Sequence, residues 1–292
     1  MAPANFLSYL QFEKRYSPHT IIAYRTDLEQ FFDYLKESYS IEQIQEVNYQ
    51  LIRSWIVSLI EMSINPRSVN RKITTLKTFY KFLLREKIIM ENPMLKVQSL
   101  KTSRRLPLFV EKDKMDFLLD EVNFGVGFPA IRNKLIMEMF YSTGIRLSEL
   151  IHLAQSNIDF HHCTIKVLGK RNKERIIPFN DNLKRLIETY IALKKTLEID
   201  NDFLFTSEKG KKMNEKSIYR LVKVYLDTVT TLTKKSPHVL RHTFATHMLN
   251  NGADLNAIKE LLGHTSLSAT QIYTHNTVEK LKNIYKLAHP KA

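Results

Sequence analysis

The sequence predicts a mainly α-helical protein of two domains: an N-terminal helical bundle, then a C-terminal α+β domain whose β content is one small hairpin. Three observations carry this. At 292 residues the chain is long enough for two cores of ordinary size, roughly 150 residues each. All seven glycines lie at or after Gly125, so the first third has few of the left-handed positions that tight hairpins need. Apolar residues recur at helical spacing along most of the chain, and only one pair of segments reads as strands.

Element by element, Ser17-Pro18 places a capping residue before a proline at a helix start, and Ile21, Tyr24, Leu28, Phe31 and Leu35 follow on one face. A second stripe is Ile52, Trp55, Ile56 and Leu59. A third helix starts near Asn65-Pro66, buries Val69, Ile73, Leu76, Tyr80 and Leu83, and ends before Asn92-Pro93. These make domain 1–97. Residues 98–107 are polar, basic, aperiodic and closed by Pro107, as a linker would be, and 108–292 form the second domain. There, Thr164 to Leu168 and Glu174 to Phe179 are the strands of the hairpin, joined by Gly-Lys-Arg-Asn-Lys. Helical patterns surround it.

Lys+Arg number 44 against 30 Asp+Glu, a formal charge of +14, which suits a polyanion such as nucleic acid. Basic residues outnumber acidic ones on both sides of residue 105, so the excess belongs to both domains and not to a tail. The single cysteine, Cys163, excludes an intrachain disulfide framework or a Cys-rich zinc module, and a reducing compartment, the cytoplasm, is expected. Neither a signal core nor a membrane-length apolar run is present.

The polar face of the third helix carries Arg67, Asn70, Arg71, Thr74, Thr78, Lys81 and Arg85. Arg and Asn read base edges while Lys and Thr hold phosphates, so this face is a candidate DNA surface; a solvated amphipathic face is the alternative.

No P-loop or dinucleotide fingerprint occurs. His238 and His242 stand four apart, but Val239 occupies the position where a zinc protease needs its glutamate. No acidic cluster suggests two-metal phosphoryl chemistry, and no cofactor is expected. What remains are basic residues in distinctive settings. Arg146 follows the helix-breaking Gly144, with Glu149 three residues on to orient it. Lys170 sits in the hairpin loop. His238 and Arg241 lie three apart after the cap Ser236-Pro237, His264 follows Gly263 at a helix end, and Tyr273 comes nine residues later.

In order, the blocks TGIRLSEL, LGKRNKER, HVLRHTFATHML and LGHTSLSATQIYTH resemble the tyrosine site-specific recombinases, most of all their Xer-type members and the phage and integron integrases. The resemblance spans nearly the whole chain, with SPHTIIAYRTDLEQFFDYL and NPRSVNRKITTLKTFYKFLLRE similar to the family's helical, SAM-like core-binding domain. It implies a tyrosine recombinase catalytic domain with Arg146, Lys170, His238, Arg241 and His264 as catalytic residues and Tyr273 as nucleophile. It also implies cleavage through a 3′-phosphotyrosyl intermediate without metal or ATP, because the phosphotyrosine conserves the energy of the broken phosphodiester. Many relatives have glycine where this chain has Arg171 after the lysine.

The implied partners are a double-stranded recombination site, a homo- or heterotetramer with a related recombinase, and a DNA translocase as activator. The implied role is Xer-like resolution of chromosome dimers; a mobile-element integrase or transposase is the alternative, ahead of a type IB-like topoisomerase or a non-catalytic DNA-binding regulator. Glu279 to His289 reads as a short helix with the stripe Leu281, Ile284, Tyr285 and Ala288, and no later segment is left to cover it. The family's behaviour implies donation of this helix to a neighbouring subunit.

Overall fold

The computed structural model describes residues 2–102, 108–169, 174–263 and 275–291. The chain divides into two compact units, residues 1–105 and 106–292, and each is described by itself.

The first unit is all helical. Helix α1 (Ala2–Ser8) runs into a π-helical turn, Tyr9–Glu13, and α2 (Pro18–Tyr39), α3 (Tyr49–Glu61) and α4 (Pro66–Arg85) follow. Ser17, Asn48 and Asn65 cap the last three, each side chain accepting an otherwise orphaned backbone N–H, and Pro18 and Pro66 stand in the first turn where no N–H is needed. The apolar stripes converge on one core in which Phe31 meets Trp55 at 4.9 Å between ring centroids and Phe6 meets Phe79 at 5.1 Å. That α1 supplies Phe6, and the turn after it Leu10, to this core was not anticipated from the sequence.

Two polar devices brace α4. Asp27 of α2 is fully buried, yet it accepts from Lys72 Nζ at 2.9 Å, from Thr75 Oγ1 at 2.9 Å and from Arg71 Nη1. Its charge is therefore matched where water cannot reach it. Asn70 uses both ends of its amide on one residue, donating to the Leu100 carbonyl at 2.9 Å and accepting from the Leu100 N–H at 2.7 Å. The first unit thus holds the chain to Leu100, inside the stretch expected to be linker.

The second unit contains α5 (Lys112–Asp120), α6 (Gly127–Thr143) and the short α7 (Leu147–Ile151). A three-stranded antiparallel sheet follows, β1 (Ile158–Asp159), β2 (Thr164–Leu168) and β3 (Glu174–Pro178), in that spatial order. β2 and β3 form the expected hairpin, with Val167 opposite Arg175 and Ile165 opposite Ile177; β1 is a short addition at its edge. Helices α8 (Asp181–Thr196), α9 (Glu215–Val229), α10 (Pro237–Asn250), α11 (Leu255–Leu262) and α12 (His275–Ala288) complete the unit. α6, buried along much of its length, is the central helix and packs on α8 and α10. No helix among the described residues is long and apolar enough to cross a membrane.

In this single chain the α12 stripe is seated on its own unit: Leu281, Tyr285 and Ala288 are buried with Phe244 and Met248 of α10 and Leu261 of α11, and Ile284 packs against them. Beyond the helix, Lys291 Nζ reaches Asp120 at 2.7 Å, and Asn251 Nδ2 donates to the Ala288 carbonyl at 2.9 Å. A covering surface exists within the catalytic unit because α10 and α11 leave an apolar groove that linear periodicity does not show.

Candidate active site

The site is built on three helix ends. α6 stops at Gly144, whose φ of +58° is the left-handed conformation that glycine takes without strain. The close packing also demands glycine, since a Cβ there would lie 2.6 Å from Phe244 Cδ1 and 2.8 Å from Leu262 Cδ2. Two residues on, Arg146 is the N-cap of α7. Its N–H donates to Glu149 Oε2 at 2.8 Å, and its guanidinium Nη1 donates to Glu149 Oε1 at 2.7 Å. One carboxylate therefore fixes both the backbone and the side chain of the arginine.

α11 is capped at its start by Asp254, which accepts from Asn256 and Ala257 N–H groups at 2.9 and 3.0 Å. It ends at Gly263 with φ +64°. The last carbonyls of a helix lack intrahelical partners and carry its negative dipole end. Here three consecutive carbonyls are each taken by a different arginine. Arg175 Nε donates to Leu261 at 2.8 Å, Arg241 Nη2 donates to Leu262, and Arg146 Nη2 donates to Gly263 at 3.0 Å. Arg241 also donates to the Gly144 carbonyl, which joins the ends of α6 and α11 through a side chain of α10.

Three guanidiniums thus surround one carboxylate. Burial works against the charge of Glu149, but the bonds and charges of Arg175 and then Arg146 outweigh it and hold its pKa at about 2. Burial, then the neighbouring Arg146 and Arg175, push Arg241 down to about 9, still protonated at neutral pH. His238 lies in the first turn of α10, one turn before Arg241. Partial burial and the charges of Arg241, Lys234 and Arg146 lower its pKa, so its imidazole is neutral near pH 7 and free to accept a proton.

Of the six residues singled out in the sequence, the fold brings Arg146, His238 and Arg241 together. Lys170, His264 and Tyr273 lie outside the described residues, which border them at Gly169 and Glu174, at Gly263 and at His275. Arg175 is a member of the site that sequence reasoning missed. Strand alternation was the available signal, because Arg175 shares a face of β3 with Ile177 and that face is buried. Among the described residues, no group of three or more His, Cys, Asp or Glu side chains is placed to hold a metal ion.

On α4 the candidate DNA face is mixed. Arg67, Thr74 and Lys81 are exposed, with Thr74 and Thr78 hydroxyls turned back onto the carbonyls of Asn70 and Thr74. Asn70 is committed to Leu100, and Arg71 is bonded to Asp27 through Nη1. Arg85 pairs with Glu86 at 2.7 Å and stacks over the Tyr9 ring at 4.1 Å.

Residues 109–280 match the phage integrase family, and residues 4–87 match the phage integrase N-terminal SAM-like domain. The tyrosine recombinase XerC of Anoxybacillus flavithermus is 39% identical over 294 residues, covering 98% of this chain and 97% of that protein. XerC of Oceanobacillus iheyensis is 41% identical over 292 residues, with 98% and 95% covered. Among solved structures, the XerH site-specific recombinase bound to a palindromic difH substrate in a post-cleavage complex has a TM-score of 0.73 at 19% identity, covering 93% of this chain and 77% of that one, and shares the fold. The chain belongs to the phage integrase family of tyrosine recombinases. Its activity is site-specific DNA recombination by cleavage and rejoining of strands.

Proposed function

We propose that this recombinase resolves chromosome dimers in the manner of Xer enzymes, acting in a tetramer on two short duplex sites, alone or with a related recombinase and under the control of a translocase. The observation that carries the chemistry is the arginine array on the α11 end. The near full-length similarity to XerC proteins supports the cellular role.

In this reading Arg146 and Arg241 fork onto the nonbridging oxygens of the scissile phosphate and stabilise the charge that develops in the five-coordinate transition state. The Tyr273 phenol oxygen attacks phosphorus, its proton passing to His238. The bond from phosphorus to the 5′ oxygen breaks, and Lys170 protonates that leaving oxygen. His264 donates a hydrogen bond to the same phosphate. Attack by a partner strand's 5′ hydroxyl on the phosphotyrosine reverses these transfers and completes exchange. On assembly, α12 leaves its seat on α10 and α11 for the equivalent seat on a neighbouring subunit, which couples the position of Tyr273 to that neighbour.

The test is to map covalent protein–DNA adducts across the source genome. One adduct site per chromosome, absent with Tyr273→Phe, is the expected result. Adducts confined to the ends of a mobile element make the protein an integrase of that element, and adducts persisting in Tyr273→Phe place the nucleophile elsewhere.

A further inference from the structure

We propose that Arg175, in β3, is a positioning residue for DNA cleavage that fixes Arg146 by holding Glu149 and the C-terminal end of α11. The inference rests on the reading of Arg146 and Arg241 as the phosphate clamp.

Arg175 is buried and grips Glu149 with both terminal nitrogens, Nη1 to Oε1 at 2.6 Å and Nη2 to Oε2 at 2.8 Å, while Nε holds the Leu261 carbonyl at 2.8 Å. Each of its three nitrogens is bonded to protein, and its side chain is only 4% exposed, so burial keeps Arg175 from a phosphate. Arg146 differs. It gives Nη1 to Glu149 and Nη2 to Gly263, and its side chain stays 23% exposed. The carboxylate is shared, with Oε1 accepting from both arginines.

This division matters because an arginine forked by a carboxylate is neutralised as a phosphate ligand. With Arg175 occupying both oxygens in a bidentate pair, Glu149 gives the Arg146 guanidinium a single lateral bond, through Nη1, beside its bond to the Arg146 backbone N–H, enough to orient it. Without Arg175, Glu149 loses its bidentate partner, is no longer held in place, and orients Arg146 only while it stays ionised. A displacement of about 1 Å at such a group costs on the order of 10²-fold in rate. The same loss releases the Leu261 carbonyl, two residues before Gly263, and so loosens the helix end that precedes His264. Gly263 is matched to this neighbour as well, since a Cβ there would come within 3.0 Å of Arg175 Cδ.

The charged groups facing Glu149 are Arg146 at the start of α7, Arg175 on β3 and Arg241 on α10, with His238 near the two catalytic arginines. Burial is the largest influence on the carboxyl, and Arg175 is its strongest opponent. Removing Arg175 therefore raises the pKa of Glu149, so the variant loses activity in mild acid beyond the loss that His238 imposes on every form of the enzyme.

The experiment measures covalent adduct formation by the full chain on a nicked suicide duplex carrying the site recovered from genomic adducts, at saturating DNA, from pH 5 to pH 8. The proteins are wild type, Arg146→Ala, Arg175→Gln, Arg175→Lys, Glu149→Gln and the Arg175→Gln/Glu149→Gln double variant. The expected result is a rate for Arg175→Gln reduced on the order of 10²-fold with half-site affinity retained. Its ratio to wild type falls further as pH falls, whereas the ratio of the double variant to Glu149→Gln is independent of pH. Arg175→Lys keeps the charge without the fork and recovers part of the rate. Should Arg175→Gln fail to fold, Arg175→Lys carries the test: a reduced rate supports positioning, and a wild-type rate overturns it. A pH-independent ratio for a folded Arg175→Gln, with Arg146→Ala inactive, overturns the positioning role alone. Wild-type cleavage by Arg146→Ala overturns the phosphate clamp and this inference together.

Discussion

Arg241 donates a hydrogen bond to the carbonyl of Gly144, the left-handed residue that ends α6 two positions before Arg146. One arginine of the site thus holds the turn that launches the other. The turn tolerates no side chain, because its φ is positive and its Cβ position is already filled by Phe244 and Leu262.

Gly144→Ala is expected to cost about 1–2 kcal/mol from the left-handed backbone, and about 1–3 kcal/mol more from overpacking. Urea unfolding of the full chain measures the sum. Adduct formation should fall along with stability, since Arg146 moves with the turn; a variant as stable and as active as wild type would show that the turn has slack.

Cleavage is expected to continue in EDTA, because in the proposed mechanism the guanidiniums of Arg146 and Arg241 supply the positive charge that stabilises the transition state. Arg146→Ala and Arg241→Ala should each reduce the rate on the order of 10²-fold or more. Cleavage that stops on chelation and returns with Mg²⁺ would contradict this chemistry.

On α4, Arg67 and Lys81 are exposed, while Arg71 is anchored to the buried Asp27. Arg67→Ala and Lys81→Ala should weaken binding to all sequences and lower the log–log salt slope by roughly one unit for each phosphate left without its cation. Arg71→Ala should also destabilise the first unit, because Asp27 keeps only Lys72 as a cationic partner among the described residues. Fluorescence of Trp55, the single tryptophan, reports that loss separately. Unchanged affinity and salt slope in all three variants would make this face an ordinary solvated surface.

Truncation after Thr277 removes the part of α12 that covers Phe244, Met248 and Leu261. The shortened chain should bind a half-site but unfold at lower temperature than the full chain, since its seat becomes solvent-exposed apolar surface. It should also lose cooperative pairing of half-sites and strand exchange. Tetrameric synapsis and full exchange by the truncated chain would confine the helix to a role in its own unit.

Much of this protein was legible in the amino-acid order, because the signals involved are local. Ser17-Pro18, Asn65-Pro66 and Ser236-Pro237 mark the starts of α2, α4 and α10 through the proline that needs no N–H in the first turn, and Ser17 and Asn65 add a side-chain cap while Ser236 does not. The stripe from Val69 to Leu83 is the buried face of α4. Gly144 and Gly263 end α6 and α11 in the left-handed conformation, as their place after apolar repeats suggested. Glu149 lies three residues from Arg146, within reach along one helical turn, so their pairing too was readable.

Long-range pairings were not legible. Arg175 meets Glu149 across 26 residues, Asp27 meets Arg71 across 44, and Asn70 meets Leu100 across 30. Each links elements whose approach is set by core packing, and nothing in either local sequence names the other. The same holds for α12, whose amphipathic period shows that it must be covered but not by what. Tertiary structure alone decides this, because burial makes an unmatched charge, an orphaned carbonyl or an exposed apolar stripe costly, and the fold then brings a partner from wherever in the chain packing places it.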